Sequence, residues 1–227
     1  MPQMTTLAFT ALLVTGASGA LGAQVRGIPV YNSGVSTGLA LAGEFGVPSH
    51  TSGGGIAYGA SARLGFGPLG VTAMGIRSDP SGDANNSVGV GASANLKLLG
   101  GPLIPLSVTL QGGAGYARNH VIALPSGGSS SDPITEWRFP VGLGIAMTLP
   151  NPVLAIRPWL APRIDIVRAS QSGTTATTTA FAISGGVEFN LLSGLGLHTG
   201  YDWSRRDGVT YGTFGVGLHY AIRMPGL

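Results

Sequence analysis

From Ser33 onward, apolar residues alternate with small or polar ones at every second position, the repeat of a strand whose two faces meet different surroundings. In residues 33–46, Val35, Thr37, Leu39, Leu41 and Phe45 share one face, while Ser36, Gly38, Ala40, Ala42 and Glu44 share the other. The same alternation runs through 55–66, 87–98, 106–117, 135–149, 153–167, 178–190, 195–204 and 210–222, and every charged residue in these segments falls on the small-and-polar face. Residues 69–78 (LGVTAMGIRS) are ambiguous, because either face qualifies as apolar. Counted together, these segments predict an all-β chain of about ten strands, with eight or twelve as alternatives.

Alternation alone fits a soluble barrel with an apolar core or a membrane barrel with an apolar outside. Composition separates them. Charged residues make up 9% of the chain, against about 25% in an average soluble domain. There are 39 Gly in 227 residues and Lys97 is the only lysine. The face opposite the apolar one is mostly Gly, Ala and Ser, which is poor solvent-facing surface. A lipid-facing apolar band around a small, polar interior accounts for it, so the expected architecture is an antiparallel transmembrane up-and-down β-barrel. A mean hydropathy of +0.33 excludes disorder. The absence of Cys excludes disulfides, thiol catalysis and cysteine-based zinc sites. The arginines are scattered, so no nucleic-acid footprint is present.

Connection lengths and aromatics sharpen the expectation. Gaps at 47–54, 79–86, 118–134, 168–177 and 205–209 alternate with gaps at 67–68, 99–105, 150–152 and 191–194 that carry Gly and Pro breakers, and apart from 99–105 against 205–209 the first set is the longer. Long outer loops alternating with short periplasmic turns fit an outer-membrane barrel with both termini on the periplasmic side. Phe45, Tyr58, Tyr116, Trp137, Phe139, Phe181, Tyr201, Trp203 and Phe214 fall near outer strand ends, and Phe66, Phe189 and Tyr220 near inner ones. Interfacial girdles require that clustering.

The chain resembles the small bacterial outer-membrane β-barrels of the broad porin and OmpA/OmpW-like class. Its last strand is similar to their assembly signal, with Thr213, Gly215, Leu218 and Tyr220 in the motif positions. The resemblance implies residence in the bacterial outer membrane. It implies outer-membrane lipid and the periplasmic and outer-membrane assembly machinery as partners, and no cofactor.

Residues 7–14 (LAFTALLV) followed by small residues to Ala23 read as a secretory signal, with residues 24–227 as one barrel domain. The stretch LLVTGASGALG within it also resembles the turn of short-chain dehydrogenases. That family's Tyr-x-x-x-Lys pair is missing, since the residue four before Lys97 is Ser93.

Candidate chemistry lies on the inward faces. Hairpin arithmetic places Arg157 opposite Glu188, Glu188 opposite His198, and Arg138 opposite Asp165, which predicts two clusters of lumen charges. They suit a structural ion-pair plug or a pore constriction. The expected function is a non-enzymatic barrel, a narrow pore or a structural and interaction protein. The alternative is a membrane-embedded hydrolase, omptin-like or lipid-modifying, with a site near the outer rim involving His198 and Asp202. Asp-x-His, the omptin signature, does not occur, and neither His198 nor His219 begins the His-x-Ser of the lipid-A deacylase barrels. Asp79, Asp83 and Asn85 in one outer loop are turn formers rather than a metal site.

Overall fold

The computed structural model describes residues 27–35, 37–81, 86–101, 104–119, 133–149 and 153–222. The signal segment, Asp83 and Asn85 lie outside the described residues. Ten strands follow one another in chain order: β1 (Gly38–Pro48), β2 (Ile56–Phe66), β3 (Leu69–Asp79), β4 (Ser87–Gly101), β5 (Ile104–Asn119), β6 (Ile134–Met147), β7 (Leu154–Gln171), β8 (Thr174–Leu191), β9 (Leu195–Arg206) and β10 (Val209–Ile222). Each pairs antiparallel with the next, and β10 pairs with β1 to close the barrel. Closure removes every open sheet edge, which a chain in lipid requires.

The burial is that of an inside-out protein. Leu218 is 62% exposed, Val88 60% and Phe181 54%, whereas Asp165, Asp202 and His198 are each 1% exposed. The alternation thus puts the bulky apolar residues outside and the charges in the lumen. On the ambiguous β3, Leu69, Val71 and Ala73 point outward, and Met74 and Ile76 point inward. The reason lies in the lumen, where Ile76 packs with Ala57 and Ile28.

Two expectations about strand limits change. Gly34 and Gly38 have positive φ (99° and 109°), a conformation that suits glycine. Residues 33–35 therefore belong not to β1 but to an extended segment before it. That segment, Gly27–Val35, lies inside the barrel, so the described chain begins within the lumen rather than at the periplasmic edge. In addition, 168–177 is not a long loop. The β7–β8 ladder continues to Gln171 and Thr174 and closes on Ser172–Gly173. Ser172 and Gly173 have φ of 48° and 80°, as do Asp207 and Gly208 between β9 and β10, the two left-handed residues of a type I′ hairpin turn. The connections 49–55, 80–86 and 120–133 remain the longer ones at that end of the barrel.

Candidate functional site

The luminal segment Gly27–Val35, here the strap, runs antiparallel to β1 down the barrel interior. Its residues find partners on most of the wall. Ile28 packs on Ala57 and Ile76. The backbone N–H of Val30 lies 3.4 Å from Asp202 Oδ2, and its carbonyl accepts from Ser184 Oγ at 2.8 Å. Tyr31 meets His198 edge-on at 4.5 Å and Trp159 at 5.9 Å between centroids. Asn32 donates to Gln111 (2.9 Å) and accepts from Thr109 (3.0 Å). Ser33 donates to Glu188.

The glycines on the inward face make room for this. A Cβ at Gly144 would lie 2.2 Å from Asn32 Nδ2, and one at Gly215 would lie 2.4 Å from Pro29 Cδ. Beside the strap, Arg63, Gly70 and Asn95 help to line a cavity of about 30 Å³, space for a water or two. The strap fills the lumen.

Around it stand two buried ionic clusters. The first, in the half that holds the long loops, joins Arg138, Asp165, Arg163 and Asp202. Arg138 pairs with Asp165, but diagonally: the residue opposite Asp165 is Pro140, and Arg138 faces Val167. The direct opposition expected from a tight turn at Asn151–Pro152 is therefore corrected. Leu149 bridges Ile156, so the β6–β7 connection is centred further along the chain. Arg163 donates to Asp165 Oδ1 at 3.1 Å, to Ser184 at 3.0 Å and to both Asp202 oxygens at 2.7 Å. Two guanidinium groups and two carboxylates balance one another, which a buried site demands.

The second cluster lies nearer the other end. Arg157, Glu188 and His198 stand in one row across β7, β8 and β9. Their side chains, however, turn to other partners. Glu188 takes Ser33, Asn190 (2.8 Å) and Arg63, whose Nη1 is 3.5 Å away. Arg157 donates to Thr148 at 3.2 Å. His198 Nε2 lies 2.8 Å from Glu44 Oε2, and its Nδ1 lies 3.1 Å from His219 Nδ1. His219 Nε2 then meets Asn190 Oδ1 at 2.8 Å. Glu44, Arg63, His219, Tyr31 and Arg163 were not among the candidates from hairpin arithmetic.

Proton positions in this chain follow from its ends. Asn190 gives its N–H to Glu188, so its oxygen faces His219 and can only accept. His219 Nε2 therefore carries a proton. One more proton lies between the two Nδ1 atoms and another between His198 and Glu44. With three protons on one carboxyl and two imidazoles the trio carries no net charge; Arg63 faces Glu188 through Nη1 at 3.5 Å and His198 Nδ1 through Nη2 at 3.5 Å. Glu44, His198 and His219 are each 5% exposed or less, so the relay is sealed from bulk water. Glu44 and His198 sit on either side of Gly217, where a Cβ would lie 2.4 Å from both Glu44 Oε2 and His198 Nε2.

His198 and Asp202, proposed together for a hydrolase, belong to separate clusters with separate partners. Of the assembly-signal residues, Leu218 and Tyr220 face outward and Thr213 and Gly215 face the lumen. Gly215 also seats the strap.

No protein-family model matches the sequence, and no curated protein matches it. Among solved structures, the β domain of the Bordetella autotransporter BrkA superposes on 82% of this chain and 100% of its own, with a TM-score of 0.51 and 14% identity. The fold is that of an outer-membrane β-barrel. The translocator domain of NalP from Neisseria meningitidis (12% identity, 82% of this chain and 90% of that one) gives a TM-score of 0.47. Ail from Yersinia pestis (14% identity, 82% and 100%) gives 0.44. Such identities speak to fold and not to activity. In this fold the short turns are periplasmic and the longer loops face outside.

Proposed function

We propose that this protein is a non-enzymatic resident of the bacterial outer membrane, exported through a signal cleaved after Ala23, whose lumen is closed by its own N-terminal strap. The observation that carries this reading is the burial of the strap: Ile28 is 0%, Val30 1% and Asn32 3% exposed. Of the two non-enzymatic alternatives, the plugged barrel is favoured over the open pore, and the role passes from the lumen to the membrane-facing and loop-bearing surfaces. The luminal acid–base groups Glu44, Glu188, His198 and His219 support a structural role, because each spends its hydrogen bonds on other protein groups around the buried strap.

Conductance of the refolded chain from Gln24 in a planar bilayer tests the reading. The expected record is stable insertion without discrete channel steps, and step conductance after removal of residues 27–35. Sustained steps from the intact chain would show an open lumen and overturn it.

A further inference from the structure

The lipid-facing surface carries a charge pattern that the lumen does not explain. Arg77 on β3, Arg118 on β5, Arg168 on β7 and Arg205 on β9 are all outward-facing and exposed. Each lies within the last four residues of its strand at the loop end. One arginine thus stands on every second strand around most of the circumference, at spacings of about 10 Å across two strand intervals. At the opposite rim no Arg or Lys points outward among the described residues; Leu41, Phe66, Leu106, Leu195 and Tyr220 occupy it.

Their depth is set by their neighbours. Arg77 is directly opposite Tyr58, Arg168 opposite Trp137 and Arg205 opposite Phe181, while Arg118 follows Tyr116 by two positions on the same face. Aromatic belts mark the boundary between acyl chains and headgroups. Beyond them the outward face turns to hydroxyls: Thr135 faces Arg118, Thr177 faces Arg168 and Thr210 faces Arg205. Two outward carboxylates lie close by: Asp79, two positions beyond Arg77 and bridged to it by the Asn86 amide, and Asp207, two positions beyond Arg205 in the turn and 4.0 Å from Arg206 Nε.

We propose that Arg77, Arg118, Arg168 and Arg205 form a collar that binds the phosphate groups of lipids in the outer leaflet. All four are arginine, whose planar fork takes two phosphate oxygens at once, where a lysine offers a point charge. The collar rests on the reading of the chain as a membrane resident, and it assigns a lipid class to one leaflet only.

The test uses the full chain refolded into phosphatidylcholine vesicles doped with phosphatidic acid, or with palmitic acid as a carboxylate of like sign. Lipids retained after extraction are counted by native mass spectrometry, and heat-dependent gel mobility verifies insertion. The intact protein is expected to retain phosphatidic acid over both other lipids. The preference should fall roughly fivefold for each arginine replaced by Gln. The R77Q/R118Q/R168Q/R205Q variant, whose lumen is untouched, should insert normally and show none. An inserted variant that retains phosphatidic acid like the parent, or equal retention of the carboxylate lipid, overturns the collar alone. A chain that fails to insert overturns the membrane reading with it.

Discussion

The two luminal clusters neutralise buried charge by different means. Around Arg163 the charges are fixed: guanidinium groups face carboxylates, and each group must find its counter-ion in place. Around His198 the charge can move, because Glu44, His198 and His219 share protons along one line of hydrogen bonds. A fixed cluster cannot compensate for a lost partner, since a buried ion left alone costs several kcal/mol. A relay with exchangeable protons can release or take one up and so offset a charge that a substitution removes or adds.

Isosteric substitutions would separate the two behaviours. Asp202→Asn removes one negative charge from a site with no exchangeable proton, leaving an excess buried positive charge. Urea unfolding in lipid vesicles should show a loss of about 3 kcal/mol. Gly217→Ala places a methyl group where Glu44 and His198 meet, and overpacking of this kind should cost about 1–3 kcal/mol in the same assay. Glu44→Gln should cost least, under about 1 kcal/mol. The carboxamide can still accept from Ser61 and donate to His198 Nε2, and the histidine pair then needs only two protons to satisfy its remaining bonds. Equal losses for Asp202→Asn and Glu44→Gln would abolish the distinction between fixed and mobile charge.

The same contrast explains what could be read before the structure. Alternation marked ten strands and the inward face of Glu188, His198, Arg138 and Asp165, because a lipid-facing band leaves little freedom about which residues turn out. Hairpin arithmetic brought Arg157, Glu188 and His198 into one row because adjacent strands keep a constant register. It could not reach pairs that skip a strand. Arg163 meets Asp202 across β8, where Ser184 is small, and Glu44 meets His198 across β10, where Gly217 has no side chain.

The strap was hidden for another reason. Val35 and Thr37 continue the two-residue rhythm of β1, so periodicity carried the strand back to Ser33. The glycines at 34 and 38, where the chain turns, looked like all the other inward glycines. The ambiguity of β3 was the one trace of the strap visible in the wall, since Ile76 is apolar where Ile28 packs. The hairpin at 168–177 gives no strand signal in the sequence because its residues carry no apolar face above the membrane band, although Ser172–Gly173 is a turn signal.

The central claim is that Gly27–Val35 occupies the lumen, and a cysteine pair tests it most directly in a chain with no native Cys. The Cβ of Val35 lies 3.8 Å from the position a Cβ would take at Gly70, the mean separation in disulfides. Val35→Cys combined with Gly70→Cys, refolded and mildly oxidised, should form the cross-link in nearly every molecule, as read from the mass of the joined peptides after proteolysis. Both thiols free and open to a membrane-impermeant maleimide would show a strap outside the barrel and contradict the account.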